Sequence, residues 1–226
     1  MAKEPVRGYT CQMSNVYILV EGQTEFIFIS EFLSEFFRGK SIYLFPIVTR
    51  TSKTAKGGIV IYSQVKPQLE QLCKEHPNEF VTTMIDLYGL PNDFPGKDSL
   101  PNITDPYQKV EYLEQSLASD LNCPNFYPNI MLHEFETLLF SDPKAFRSWF
   151  NDEVVNRIEV ISRNFETPEH INDGVTTAPS KRIIQCCKGY DKILHGSTIS
   201  LDIGLDTIRN KCRHFDDWLN KLMTLV

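Results

Sequence analysis

A short apolar segment that ends on a glutamate constrains this sequence more than any other feature. Residues 16–20 are β-rich and wholly apolar, which is typical of a strand buried on both faces of a sheet. Glu21 and Gly22 follow at once, and apolar side chains then recur at helical spacing behind Thr24 and Glu25. The pattern predicts a strand, a turn that carries a carboxylate, and a helix.

The same pattern recurs along the first 86 residues. Residues 42–48 and 80–85 predict a second and a third strand, and the third ends on Asp86. A polar segment, 49–58, leads into a helix that separates these two strands. Strands that alternate with helices in this way indicate an α/β fold, with a mostly parallel sheet and helices on its faces.

The rest of the chain divides into a fourth strand and a helical region. Residues 126–132 predict that strand, after a proline-rich connection, 89–106, whose length favours a functional role. Beyond residue 141 the periodicity is helical in short pieces. We therefore predict a sheet domain over residues 13–141 and a helical extension over 142–226 that packs on it.

Charge and composition narrow the class of protein. Asp and Glu outnumber Lys and Arg by 29 to 23, and a net charge of -6 does not hold a chain on nucleic acid. From Val175 onward, however, eight Lys/Arg face five Asp/Glu, a net of +3 that leaves -9 for the preceding part. We expect any phosphate-binding surface to use this C-terminal quarter.

Other classes are disfavoured by the sequence. No segment approaches the roughly 18 uninterrupted apolar residues that span a membrane, and residues 1–12 lack the apolar centre of a secretory signal. The six cysteines have no C-x-x-C spacing, which indicates reduced thiols in a cytoplasmic protein and argues against zinc.

Acidic residues follow three of the predicted strands. Glu21 follows the first, Asp86 ends the third, and Glu134 and Glu136 follow the fourth. The carboxyl ends of parallel strands meet at one edge of a sheet, and carboxylate clusters there hold Mg²⁺ or Mn²⁺. The alternative is that each acid is only a solvated strand end.

Four further residues have both a functional and a structural interpretation. Glu25 lies in a first helical turn, where the helix dipole already favours an acid. His133 precedes Glu134, but the zinc motif H-E-x-x-H needs a histidine where Thr137 stands, so His133 is either a site residue or a core histidine. Lys181 and Arg182 open a predicted helix, as phosphate contacts or as its solvated start.

Four motifs in order resemble a known group. Glu21-Gly-Gln-Thr-Glu25 behind a hydrophobic strand, with an acid at the end of a later strand, resembles the Toprim fold of topoisomerases, primases and related nucleases. Together with the segments 84–96, 133–136 and 178–182, it resembles an uncharacterised Toprim-related bacterial family that is often found near phage-defence systems.

The resemblance implies roles for individual residues. Toprim enzymes use the first glutamate, here Glu21, as general base or metal ligand, and an Asp-x-Asp pair for metal. Only Asp86 of that pair matches, because Tyr88 stands at the second position. Glu134, Glu136 or Asp93 then takes the missing place.

We therefore predict a metal-dependent nuclease, an effector subunit of bacterial anti-phage defence, with Mg²⁺ or Mn²⁺ as cofactor. The predicted catalytic residues are Glu21, Glu25, Asp86, His133 and Lys181. The predicted metal ligands are Glu21, Asp86, Glu134 and Glu136, and the substrate phosphate contacts are Lys181 and Arg182.

Two other functions stay open on the sequence alone. One is a different phosphoryl-transfer or nucleotide-processing enzyme that uses the same site. The other is a non-catalytic Toprim-like subunit that docks on an ATPase partner, which the acidic balance and Tyr88 favour. The expected partners are nucleic acid, such an ATPase, and a second copy of the chain, with no membrane.

Overall fold

The computed structural model describes residues 13–50, 61–171, 174 and 176–225. Five strands of this part form one sheet in the order β2-β1-β3-β4, with β5 pairing with the far end of β3, and all the pairings are parallel. The strands are β1 (Ser14–Val20), β2 (Ile42–Val48), β3 (Phe80–Asp86), β4 (Phe126–Tyr127) and β5 (Ile130–Met131). The predicted α/β class, with a mostly parallel sheet flanked by helices, is confirmed.

Helices account for most of the remaining described residues. They are α1 (Gln23–Ile27), α2 (Ser34–Arg38), α3 (Tyr62–Glu75), α4 (Pro106–Leu121), α5 (Asp152–Arg163), α6 (Pro179–Cys186), α7 (Lys192–Ile203), α8 (Leu205–Lys211) and α9 (Arg213–Met223). Short 3₁₀ helices cover Phe135–Ser141, Pro143–Ser148 and Pro168–His170. None of the helices in the described ranges is long and apolar enough to cross a membrane.

Strand β1 lies at the centre of the sheet and is buried on both faces. Val16, Ile18 and Val20 point into one core, while Leu19 points into the other, as the period of two in a strand requires. Helices α3 and α4 cover the face of Leu19. The first helices and the C-terminal helices cover the opposite face.

The C-terminal helices share a core with the sheet. Phe215 and Leu219 of α9 belong to the same buried cluster as Val16 and Ile18. Residues on both sides of position 141 therefore build one core, and the domain boundary proposed there stays a prediction. The polar segment 49–58 lies outside the described residues from position 51 onward.

The first helical region contains a change of pitch. A π-helical segment, Phe28–Leu33, joins α1 to α2 without a break. Phe28, Ile29 and Leu33 are fully buried against the sheet, and Phe28 packs edge-on against Phe135 with ring centroids 5.1 Å apart. These rings form part of the core, as their helical spacing predicted.

The prediction of one continuous strand over 126–132 is wrong. Pro128 and Asn129 separate β4 from β5, and the side chain of Thr83 takes the place of the missing backbone pairing. Thr83 Oγ1 accepts from Asn129 N at 2.9 Å and donates to Asn129 O at 2.8 Å. A proline has no N–H to continue the ladder, which accounts for the break.

The proline-rich connection after β3 packs against two helices. Leu90 and Phe94 are buried in the core on the α3 side, and Asp93 accepts hydrogen bonds from Tyr62 N and Ser63 N at 2.8 and 3.0 Å. Asp93 therefore caps the start of α3. The length of the connection is explained by packing, whereas Asp93 as a replacement metal ligand stays a prediction.

Candidate active site

Glu21 and Asp86 lie side by side at the carboxyl edge of the sheet. Strands β1 and β3 are neighbours with Val20 opposite Met84, so the residues that follow them emerge together. Asp86 N donates to Glu21 Oε2 at 3.2 Å. Burial raises the pKa of the Glu21 carboxyl, and the charges of Glu134 and Glu136 raise it further.

Glu25 closes the turn between β1 and α1. Its Oε2 accepts from Gly22 N at 3.0 Å, so the side chain reaches back to the start of its own helix. Glu25 is buried, and burial, together with the charge of Glu21, raises its pKa to about 7. The structural role expected for a first-turn acid is present, and the residue also belongs to the buried acidic group.

Asp86 is the most strongly perturbed carboxyl of the group. Its Oδ1 accepts from Phe135 N at 3.1 Å, which ties the end of β3 to the start of the 3₁₀ helix Phe135–Ser141. The pKa of Asp86 lies well above its usual range because the group is buried. Further increases come from the charges of Glu21, Glu25, Glu136 and Glu134.

Glu134 is held by the start of α6. Its two carboxylate oxygens accept from Ser180 N at 2.8 Å and from Ser180 Oγ at 2.9 Å. The carboxylate thus satisfies an otherwise unpaired N–H in the first turn of that helix, where the dipole favours a negative charge. The contact brings two of the sequence motifs together, through Ser180.

Lys192, the first residue of α7, provides the positive charge of the site. Its Nζ lies 3.1 Å from Glu136 Oε1 and 3.7 Å from Glu134 Oε1. Glu136 is only 2% exposed, and burial raises its pKa to about 7 in spite of Lys192. Burial alone lowers the pKa of Lys192, but the charges of Glu136, Glu134 and Asp86 raise it above its ordinary value.

A glycine allows α7 to approach the site closely. Gly196 lies one turn after Lys192, and a Cβ there would come within 3.1 Å of Thr24 Cγ2 and 3.3 Å of Phe135. A larger side chain there would crowd Thr24 and Phe135, so the glycine lets α7 pack closely against α1. Sequence reasoning missed Lys192; the available signal was Asp191, whose side chain accepts from Leu194 N and caps α7 directly before the lysine.

The predicted basic residues of α6 are arranged differently from Lys192. Lys181 is exposed, and Arg182 donates from Nε to Thr177 O at 2.6 Å with its guanidinium 5.1 Å from the ring centroid of Phe165. Burial lowers the pKa of Arg182. The contact of Lys181 and Arg182 with substrate phosphate stays a prediction. The lysine that contacts the acidic residues is Lys192.

His133 lies beside the acidic residues in an unusual backbone conformation. It is buried and has a φ of 67°, in the left-handed region that few residues other than glycine adopt. Its carbonyl accepts from Tyr88 N at 2.8 Å, which joins the two motifs that contain these residues. The strained turn places Glu134 and Phe135 at the carboxyl edge.

The chemistry of this donor set fits a hard divalent cation. All the acids offer oxygen ligands. Glu25, Glu134 and Glu136 are buried and Glu21 and Asp86 are half-buried, and added positive charge would relieve their mutual repulsion. In the part of the chain that the structure describes, however, no three His, Cys, Asp or Glu side chains are grouped so that they could hold a metal ion. Binding an ion between them would require Lys192 or a carboxylate to move.

The fold and the site together define an α/β protein with a buried acidic centre at the carboxyl edge of a parallel sheet. The chain belongs to the family described as a domain of unknown function (DUF4276), whose model matches residues 20–223. Among solved structures, the C-terminal region of the Xanthomonas campestris pv. campestris OLD protein is similar over 92% of this chain and 96% of that chain, with 14% identity and a TM-score of 0.38. No curated protein matches the chain.

Proposed function

We propose that this protein is a metal-dependent phosphodiester hydrolase that acts on nucleic acid. The observation that carries the proposal is the convergence of Glu21, Asp86 and Glu136 at one sheet edge, beside the ammonium group of Lys192. An acidic group of this kind, largely withdrawn from water and in contact with the ammonium group of Lys192, is expensive to maintain for stability alone. It suits chemistry at a phosphate, where both metal ligands and a positive charge are needed.

Within this proposal Glu21 and Asp86 hold Mg²⁺ or Mn²⁺, and Glu136 is the third ligand. A bound divalent ion would lower the pKa of a water molecule and offset charge on the reacting phosphate. Glu134 is the weakest of the predicted ligands, because both of its oxygens already accept from Ser180. Its contribution is to position α6 and to share the charge of Lys192.

In this proposal Lys192 has the substrate role that we predicted from the sequence for Lys181. Its charge is available at the acidic edge, where it would attract a phosphodiester and offset negative charge that develops on the phosphoryl oxygens. Glu25 keeps the turn after β1 in place through Gly22 N, so that Glu21 keeps its position. His133 as a catalytic group, and Lys181 and Arg182 as more distant phosphate contacts, are further parts of the proposal.

A non-catalytic docking subunit is the second candidate, and one observation favours it. Lys192 already neutralises part of the acidic group, and no three ligating side chains of the described residues are grouped for a metal. A protein that only docks on an ATPase partner needs no metal site among these acidic residues. Metal binding separates the two functions, because the hydrolase requires it and the docking subunit does not.

The test is a calorimetric titration of the purified chain with Mn²⁺, together with cleavage assays on labelled DNA and RNA. We expect Mn²⁺ to bind, and we expect Glu21→Gln and Asp86→Asn to abolish both binding and cleavage. Glu79→Gln is the matched control, since the Glu79 carboxylate accepts from Asn15 at the start of β1, the opposite end of the strand from Glu21, and its loss should leave both intact. Absence of Mn²⁺ binding by the unaltered chain would reject the hydrolase and leave the docking subunit.

A role in bacterial anti-phage defence is proposed on the sequence resemblance alone. It is tested by expressing the chain with its genomic neighbours in a susceptible host and counting plaques. Loss of protection in the Asp86→Asn variant, with unchanged protein level, is the result expected if the site performs the defence reaction.

A further inference from the structure

An exposed aromatic surface lies next to the site cation. Trp149 is 44% exposed, and its ring is packed edge-on against His195 with centroids 5.1 Å apart. His195 lies three residues after Lys192 in the first turn of α7, so the two residues are neighbours on the helix. The same turn exposes Ile193 and Leu194.

The imidazole of His195 is fixed in place at the centre of this surface. Its Nδ1 accepts from Asp191 N at 2.8 Å, and its ring is stacked with Tyr190 at 5.7 Å and tilted against Phe150 at 5.2 Å. Trp149 therefore rests on a rigid support and does not need to be ordered by a ligand. A pre-ordered aromatic ring costs little entropy on binding.

The chain segment that carries His195 is basic, which suits a polyanion. Residues 176–195 contain four Lys/Arg and one Asp/Glu, a net of +3, although the whole chain carries -6. Lys192 and Lys188 belong to this segment, and both flank Tyr190 in sequence. Basic groups beside an exposed aromatic ring such as Trp149 are typical of surfaces that bind unpaired nucleic acid strands.

We propose that Trp149, supported by His195, binds one unstacked base of a nucleic acid strand whose backbone lies at Lys192. The inference rests on the proposed function and names its substrate class, which is single-stranded nucleic acid or a single-stranded end. A base inside an intact duplex is stacked on both faces and cannot pack on the indole ring. The surface therefore selects single strands over duplexes, while the acidic group acts on the adjoining phosphodiester.

The two tryptophans of the chain make the binding directly observable. Trp218 is 6% exposed and donates from Nε1 to Thr82 Oγ1, so it is shielded from a strand in solution. Quenching of tryptophan emission on binding would then report on Trp149. The experiment uses the full chain with Asp86→Asn to prevent cleavage, and fluorescein-labelled oligothymidylate, oligouridylate and a blunt duplex, each of about 12 nucleotides or base pairs.

We expect both single strands to bind more tightly than the duplex and to quench the emission. Adding Trp149→Ala should weaken binding of the single strands about 10- to 100-fold and leave the duplex nearly unchanged. Trp149→Phe retains a ring and should lose less. Phe45→Ala, an exposed aromatic residue on β2, is the matched control and should change nothing.

The inference would be overturned if Trp149→Ala bound single strands as tightly as its parent, or if a bound strand left the emission unchanged. Its failure is distinguishable from failure of the proposed function. Mn²⁺-dependent cleavage that is insensitive to Trp149→Ala would remove the base site and keep the hydrolase. A chain that binds neither Mn²⁺ nor any strand would reject both.

Discussion

Glu134 and Ser180 are 46 residues apart in the sequence, and the carboxylate of one accepts both the backbone and the side-chain hydrogen of the other. The pair joins the turn after β5 to the first turn of α6 at a buried position. It explains why a serine rather than one of the neighbouring basic residues faces the acidic group. It also makes the orientation of α6 depend on a single side chain.

Replacing that side chain should destabilise the protein without changing its charge. Ser180→Ala removes one of two bonds to a buried carboxylate, and we expect the free energy of unfolding to fall by about 1–3 kcal/mol. Urea denaturation measures the change. Ser119→Ala is the control, because that hydroxyl bonds to Gln115 O on the exposed surface of α4 and should cost less than about 0.5 kcal/mol. Equal losses in the two variants would contradict the role of the pair.

Removing the positive charge of Lys192 should destabilise the protein in a way that a divalent ion reverses. Lys192→Met leaves Glu136 without its ion pair, so stability should fall by about 1–3 kcal/mol, less than for a fully buried pair because the lysine side chain is 45% exposed. If a divalent ion can substitute for the ammonium group, Mn²⁺ should raise the melting temperature of Lys192→Met more than that of the parent chain. Lys188→Met, on the exposed segment before α7, serves as the control and should melt like the parent.

The stability of the helical region should depend on pH through His214. Burial lowers the pKa of this histidine, but the hydrogen bond and the charge of Glu114 and the charge of Glu169 raise it above the ordinary value of 6.5. Because the folded pKa is the higher one, the contribution to stability is complete below the unfolded value and is lost as pH rises through the folded value.

The measurement compares the parent chain with His214→Gln in urea between about pH 6 and pH 9. We expect the variant to lose more stability at the lower pH, where the imidazolium pairs with Glu114 at 3.1 Å. Glu114→Gln should reproduce the same pH dependence, since it removes the other half of the pair. A loss that is equal at both pH values would show that only packing is involved.

Two glycines in the connection after β3 allow the cost of backbone strain to be measured apart from the cost of steric overlap. Gly96 has a φ of 79°, and a Cβ there would lie 2.3 Å from Ser116 Oγ and 2.7 Å from Ser116 Cβ on α4. Gly89 has a φ of 80° with no atom within 4 Å. Gly89→Ala should therefore cost about 1 kcal/mol of strain, and Gly96→Ala about 1–3 kcal/mol more. Chemical denaturation of both variants measures the two losses of stability. Equal losses would show that overlap with α4 does not contribute.

The strands and the acids at their ends could be predicted because the signals are local. An apolar run such as residues 16–20 identifies a buried strand by itself, and parallel strands place Glu21 and Asp86 at one edge. The same reasoning failed at residues 126–132, where Thr83 replaces the backbone pairing across Asn129. A side chain that replaces backbone hydrogen bonds between strands produces no periodic pattern in the sequence.

The remainder of the site depends on contacts between distant segments. Lys192 reaches Glu136 across 56 positions, and its place is set by the close packing of Gly196 on α1, which no local pattern reveals. Lys181 was favoured as a site residue because basic residues at the start of a helix are unusual. The residue of α6 that contacts Glu134 is the adjacent Ser180. Asp93 was a candidate ligand by residue type alone, and no local pattern revealed that its two oxygens accept from the first residues of α3, Tyr62 and Ser63.

The burial of β1 beneath helices from the other end of the chain has a consequence for synthesis. Val16 and Ile18 are covered in part by Phe215 and Leu219, which leave the ribosome roughly 10–40 s later at typical elongation rates of about 5–20 residues per second. During that interval one face of the central strand has no permanent cover. The nascent chain is then a substrate for chaperones, and its yield in a cell should be more sensitive to growth temperature than the stability of the finished protein would suggest.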